Sequence, residues 1–383
     1  MLASSTHDTK RSEDVRARIN VLSEIPNEWE EHLQTWHQMN GDRKTVVEGD
    51  LAPDYNDEYL LYQTLVGAWP LEFLNELWEL SDEQSNAWNT FRERIIAYMH
   101  KATREAKVHT SWVNPRQDYD AAVNHFVYQV LSYDPDDPFL KSMRSFAQRV
   151  SFYGQLNSLA QTLLKLTSPG VPDIYQGSEL WDLSLVDPDN RRPVDYAHRR
   201  ALLSDLQQRT ASTHDNRGSL MQELLATPND GRMKLYLMHQ VLTFRRQHQA
   251  VFGRSQYQPL SASGAKAEHV CAFARNLPDQ SMIVAVPVLV VGLTNGVVQQ
   301  PLGQQVWGDT WLALPDVAVG TQYRHVFTGE QVTVDQWDTP HPGPSPKEGE
   351  GSMWGQQVCR WQASFIHARW HCLSVWTYNR PIR

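Results

Sequence analysis

The sequence predicts a helical block over residues 1–166, a short apolar strand near residue 170, and an antiparallel β region from residue 257 onward. The helical block rests on apolar residues recurring at three- and four-residue spacing. The strand rests on a run bounded by glycine and proline, Gly170-Val171-Pro172-Asp173-Ile174-Tyr175-Gln176-Gly177-Ser178-Glu179. The β region rests on short or alternating apolar runs separated by turn residues.

Taken in order, Ser12 stands where a helix N-cap belongs, with Glu13 and Asp14 at the positive end of the dipole. Val15, Ile19 and Leu22 share one face, and Pro26 is expected to end this helix. Asp14, Arg16 and Arg18 have the spacing of intrahelical ion pairs. A second helix presents Trp29, Leu33 and Trp36 on one face, and the polar stretch 41–57 reads as a loop. Helices are expected at 59–69, 83–104, 118–131 and 138–166; Thr110-Ser111-Trp112-Val113-Asn114-Pro115 breaks the pattern between two of them. Residues 211–218 read as a loop and 234–252 as one amphipathic helix, with Arg245-Arg246 near its end. Strands are expected at 270–274, 282–286, 288–293, 311–314 and 323–327. No internal repeat is visible.

Composition narrows the function classes. A chain of 383 residues, 41% hydrophobic and 21% charged, is that of a globular protein large enough for two or three domains. A net charge of −9 gives no electrostatic reason to expect nucleic acid or anionic lipid as a partner. The longest apolar run, 282–293, is too short to span a bilayer and contains Pro287. Cys271, Cys359 and Cys372 are too widely spaced for a disulfide framework or a zinc site. The first residues lack the layout of a signal peptide, and a cytoplasmic location is the expectation. The high tryptophan count suits either helix packing or stacking on sugar faces.

The chemistry concentrates at residues 5–18, Ser5-Thr6-His7-Asp8-Thr9-Lys10-Arg11-Ser12-Glu13-Asp14-Val15-Arg16-Ala17-Arg18. This run closely resembles one segment of the maltooligosyltrehalose synthase family, a branch of the α-amylase superfamily. Residues 110–115, the strand at 170–179 and Asp187-Pro188-Asp189-Asn190-Arg191-Arg192-Pro193-Val194-Asp195 also resemble that family. The resemblance covers roughly residues 3–335. It implies the fold class of an α/β barrel fragment, strands 7 and 8 of a (β/α)8 barrel, with a large helical insertion and then an antiparallel β-sandwich. The implied domains are 1–11 (end of barrel strand 7 and active-site segment), 12–166 (insertion), 167–210 (strand 8 with its loop and helix), 211–256 (linker and helix) and 257–338 (β domain). Residues 339–383 are expected to form a low-complexity, frame-shifted tail: a shift starting at Val358 permits an apolar strand like the one that ends the family.

A retaining glycosidase needs two carboxylates about 5–5.5 Å apart and hydrogen bonds to the 2-hydroxyl that tighten in an oxocarbenium-like transition state. The resemblance makes Asp8 the third carboxylate of the superfamily, a transition-state stabiliser on the 2- and 3-hydroxyls, with His7 donating to the same sugar. Lys10 and Arg11 either face neighbouring glucose subsites or are solvated cations. Tyr175 and Gln176 face the cleft by resemblance, and Glu179 bonds the barrel rim. Asp187, Asn190, Arg191 and Arg192 either hold the reducing end or pin their loop. The nucleophile and the general acid belong to family segments that this sequence does not contain, and Glu13, on a helix, is no substitute. The implied reaction turns the reducing-end α-1,4 bond of a maltooligosaccharide into an α,α-1,1 bond. It needs no metal or organic cofactor. A maltooligosaccharide is the expected substrate, and a polypeptide carrying the missing N-terminal part is the implied partner. The chain by itself is expected to be inactive. The alternatives are an amylase-type hydrolase and a non-catalytic glucan-binding remnant.

Overall fold

The structure, a computed structural model, describes residues 1–75, 81–187, 189–211, 217–314, 317–318, 320–334, 358–359 and 373–379. The chain divides into two compact units. One comprises Ala3–Ser158 with Ile174–Asp195, and the other Met1–Leu2, Leu159–Asp173 and Tyr196–Arg383.

The first unit is helical. It holds α1 (Glu13–Val21), α2 (Pro26–Asn40), α3 (Tyr55–Ala68), α4 (Asp82–Ala106), α5 (Gln117–Val130) and most of α6 (Pro138–Thr167). Pro26 opens α2 rather than merely ending α1, since a first-turn proline lacks only an amide that has no helical partner. Ser12 occupies the N-cap position of α1 without capping it. Its hydroxyl donates to the Asp182 carbonyl, and Ser5 Oγ takes the Glu13 amide instead (2.9 Å). Clear caps start the longer helices: Asp54 accepts the Asp57 amide (2.8 Å), and Ser81 with Gln84 closes a capping box on α4.

The stretch expected as a loop at 41–57 contains a hairpin, β1 (Thr45–Val47) against β2 (Asp50–Ala52). Glu48 and Gly49 supply the two positive φ angles (52° and 99°) that a tight turn matched to strand twist requires. The core gathers aromatic rings from separate helices. Trp36 meets Tyr62 (5.6 Å), Phe146 (5.6 Å) and Phe139 (6.1 Å) between ring centroids.

Helix α1 lies against two glycines. A Cβ on Gly67 would sit 2.8 Å from Val15 Cγ1, and one on Gly154 would sit 2.8 Å from Arg18 Cα. Hydrogen bonds of Asp14, Arg16 and Arg18 reach outside the helix, while Asp14 and Arg18, at i and i+4, also attract each other as their spacing predicts. Asp14 accepts from Ser158 Oγ and the Asp182 amide (2.6 Å for the latter). Arg16 donates to the carbonyls of Ser4 and Arg11, and Arg18 to those of Gly67 and Trp69. Burial lowers the Arg18 pKa to about 10.

The second unit carries α7 (Tyr196–Ala211), α8 (Arg217–Ala226), α9 (Arg232–Gln247) and α10 (Gln249–Arg254), then antiparallel sheet. The helix expected at 234–252 breaks at His248, and Gly218 belongs to α8; residues 212–216 of the expected loop lie outside the described residues. β3 (Gln256–Leu260), β5 (Val270–Asn276), β6 (Gln280–Pro287), β8 (Gln322–His325), β9 (Gln331–Thr333) and β11 (Ser374–Asn379) form a six-stranded sheet in the order β3-β5-β6-β11-β8-β9. β4 (Ala262–Ser263), β7 (Trp311–Ala313) and β10 (Val358–Cys359) form a second, in the order β10-β7-β4. Leu312 of β7 joins Ala272, Ile283, Tyr323 and Trp376 of the larger sheet in one apolar core.

Three expectations differ here. Residues 290–293 turn into a short helix rather than a strand, because Pro287 offers no ladder amide and Leu289 takes a left-handed φ of 52°. β11 also lies beyond residue 338, where the sequence reading ended the β domain, and pairs β6 over its whole length. Residues 339–357, 360–372 and 380–383 of the expected tail lie outside the described residues. The strand expected at 170–179 is a single parallel bridge between Leu2 and Pro172. The Leu2 amide donates to the Val171 carbonyl and the Asp173 amide to the Leu2 carbonyl, both at 2.8 Å, straddling the proline that has no donor. Arg245 and Arg275 donate to the carbonyls of Leu166 and Thr167 that end α6, as cations at a helix C-terminus do.

Candidate active site

His7 and Asp8 occupy a turn closed by two threonines. The Thr6 amide donates to Thr9 Oγ1 (2.8 Å), and the Thr9 amide donates to the Thr6 carbonyl (3.2 Å). The two side chains project outward, 67% and 84% exposed, and lie 3.2 Å apart from His7 Nε2 to Asp8 Oδ2.

Immediately after the turn the backbone is clamped. Residues 10–12 pair antiparallel with 184–186: the Val186 amide donates to the Lys10 carbonyl and the Ser12 amide to the Ser184 carbonyl, both at 3.0 Å. This pairing brings the loop around Asp187–Arg192 beside the turn. Asn190 Nδ2 then donates to the His7 carbonyl (2.8 Å), while Asn190 Oδ1 is buried with no partner among the described residues.

Helix α4 backs this assembly with Arg94, Tyr98, Lys101 and Glu105, spaced i, i+4, i+7 and i+11 along one face. Arg94 forks onto Asp189 (2.7 and 2.8 Å) and also donates to the Leu183 carbonyl (3.0 Å). Asp189 further accepts the Leu185 amide (2.9 Å) and pairs with Arg192 (2.9 Å). Lys101 reaches Asp187 (3.8 Å) and Glu105 (3.7 Å), and Asp187 also pairs with Arg191 (2.9 Å). Glu105 accepts from Lys10 (2.8 Å); this hydrogen bond holds the Glu105 carboxyl below, and the Lys10 ammonium above, its ordinary pKa.

The sequence-predicted residues thus separate. His7, Lys10, Arg11, Asp187, Asn190 and Arg191 come together. Arg11 is no free cation: it donates to Gln63 Oε1 (2.6 Å) and Thr64 Oγ1 (2.9 Å) of α3 and faces the Tyr98 ring (6.0 Å). Half-buried Tyr175 and exposed Gln176 lie on a turn closed by the Ser178 amide on the Tyr175 carbonyl (3.0 Å). Neither side chain joins the network above among the described residues. Sequence reasoning missed Arg94, Lys101 and Glu105, although their helical spacing was a readable polar stripe. Among the described residues, no group of three or more His, Cys, Asp or Glu could hold a metal ion, and no helix is long and apolar enough to cross a membrane.

Comparison with known proteins points one way. No family model matches the chain. A putative maltooligosyl trehalose synthase of Mycobacterium tuberculosis is 37% identical over 316 residues, which is 82% of this chain and 33% of that protein. The maltooligosyltrehalose synthase structure from Arthrobacter ramosus superposes with a TM-score of 0.67 at 28% identity, over 98% of this chain and 38% of that one. A second maltooligosyl trehalose synthase crystal structure gives 0.63 at 31% identity, over 86% and 37%. The chain therefore spans a third of the length of the curated relatives it matches (33%).

Proposed function

We propose that this chain, similar over most of its length to maltooligosyl trehalose synthases, supplies one rim of an active site that isomerises the reducing-end α-1,4 bond of a maltooligosaccharide to an α,α-1,1 bond. The carrying observation is the His7-Asp8 turn, whose two polar side chains are held outward on a backbone clamped by residues 184–186. A carboxylate so placed can accept hydrogen bonds from the 2- and 3-hydroxyls of the sugar at the cleaved bond. Those bonds tighten as positive charge grows at the anomeric carbon, so they favour the transition state over the ground state. His7 donates to the same sugar. In the isomerisation a glucosyl–enzyme bond forms as glucose leaves, and the anomeric hydroxyl of that glucose then attacks in place of water.

Other roles follow from where each side chain goes. Arg11 and Asn190 position the turn: Arg11 is anchored on α3, and Asn190 on the His7 carbonyl. Lys10, Asp187 and Arg191 border the reducing-end subsite on the α4 side, and Tyr175 and Gln176 border the cleft from their own turn. The parallel Leu2–Pro172 bridge supports reading those segments as neighbouring barrel strands 7 and 8. The core shared by the two sheets supports the sandwich reading. The nucleophile and the general acid come from outside these 383 residues, so the chain alone binds a maltooligosaccharide without turning it over.

Incubation with maltopentaose tests this. The chain alone should bind and leave reducing ends unchanged; joined to a polypeptide carrying the nucleophile and acid, it should remove reducing ends without releasing glucose. New reducing ends would instead identify a hydrolase, and an absence of binding would overturn the reading.

A further inference from the structure

Trp112 is the most exposed tryptophan among the described residues of its unit. Trp29, Trp36, Trp69 and Trp88 are buried and Trp181 is half-buried, whereas Trp112 is 53% exposed. An indole left in water is ordinarily loosely held, yet this one is fixed on several sides. It meets the His100 ring nearly at right angles (5.8 Å between centroids, 81° between planes), and the Arg104 guanidinium carbon lies over its ring, 4.9 Å from the centroid. Arg104 is itself held in place by Asp120, which accepts from it at 2.7 Å.

The loop beneath is equally constrained. Asn114 donates its amide to Ser111 Oγ (2.9 Å), the Ser111 amide donates to the Asn114 carbonyl (3.2 Å), and the Arg116 amide donates to buried Thr110 Oγ1 (3.0 Å). His100 and Arg104 sit at i, i+4 on α4, next to the stripe on which Glu105 holds Lys10. The same helix end therefore braces both the His7-Asp8 segment and the exposed indole.

We propose that Trp112 is a stacking platform for a glucosyl unit of the maltooligosaccharide, at a subsite separate from the one served by Asp8. The chemistry of the surface suits that ligand class. A half-exposed indole held by Arg104 suits the C–H-lined face of a pyranose ring, and a platform already ordered loses little entropy when a sugar settles on it. Exposed neighbours Lys107 and Asn114 offer hydrogen-bonding groups for the hydroxyls at the sugar's rim. The inference rests on the glucan reading above and extends it to a second contact.

The test is calorimetric titration of the full chain with maltoheptaose and with β-cyclodextrin, which presents sugar faces and no reducing end, alongside tryptophan fluorescence. Trp112→Ala should weaken maltoheptaose about tenfold, the scale of a 1.4 kcal/mol contact, and remove most β-cyclodextrin binding. Trp112→Phe should recover most of the affinity while losing the sugar-induced fluorescence change, with far-UV circular dichroism unchanged. Should Trp112→Ala not fold, Trp112→Phe decides alone: an undiminished fluorescence change overturns the proposal. Trp112→Ala affinity within twofold of the parent overturns it as well, while leaving the glucan reading intact. No binding of either sugar by the parent chain would overturn both.

Discussion

Asp8 and Asp189 lie on neighbouring pieces of backbone, and their surroundings are opposite. Asp8 is 84% exposed on the 6–9 turn, with His7 Nε2 3.2 Å from its carboxylate. Asp189 is 6% exposed and receives the Arg94 fork, Arg192 and the Leu185 amide. A carboxylate whose lone pairs are all taken by the protein holds the fold; one left open can serve a ligand. The contrast explains how a short polar turn can be both outward-facing and well placed. Its backbone is braced by the saturated loop beside it, while the His7 and Asp8 side chains stay exposed.

The comparison can be broken most forcefully at Asp189. Asp189→Ala leaves Arg94 without its carboxylate in a mostly buried setting, and removing one partner of such a pair costs about 3–5 kcal/mol. Urea unfolding of the purified chain measures it. A loss below about 1 kcal/mol, the range of exposed pairs, would mean that the loop does not depend on this pair.

A smaller effect is expected where the turn is tied to α4. The Lys10–Glu105 pair is largely exposed, so Glu105→Gln should cost less than about 1 kcal/mol at neutral pH. The sign is set by Lys10 holding the Glu105 pKa below its unfolded value. The pair's contribution is present above the ordinary glutamate range and disappears as pH falls through the lower folded value. Parent and variant unfolding curves should therefore converge in acid; a gap that widened there would reverse the assignment.

The smallest effect on stability sharpens the contrast. Asp8→Asn should change the unfolding free energy by no more than about 0.5 kcal/mol, as for an exposed residue without structural duties. In an enzyme completed by the missing carboxylates, the same change should lower kcat by roughly 10²–10³-fold, the scale of losing one transition-state hydrogen-bonding group. A variant that lost stability and kept activity would exchange the roles assigned to Asp8 and Asp189.

Much of the helical layout was legible in the sequence. The expected helices at 83–104, 118–131 and 138–166 match α4, α5 and α6 within a few residues, because each buries one periodic apolar face. The 288–293 run misled because its apolar residues do not specify a period, and Pro287 and Leu289 redirect the backbone. Asp14, Arg16 and Arg18 are legible only in part. Their spacing gives the Asp14–Arg18 attraction, but not their hydrogen bonds to carbonyls and amides elsewhere in the unit.

What the sequence alone determined was the periodicity of the helices, the alternation of the strands and the run at 5–18 that carries the family likeness. Each is written in consecutive residues, where local spacing is enough. Only the tertiary structure decided that Arg94 saturates Asp189, that Arg11 is an anchor, and that Asp8 and Trp112 face outward on braced backbone. Those outcomes depend on partners far apart in the chain, and a polar side chain becomes scaffold or site according to whether folding brings a partner within hydrogen-bonding distance.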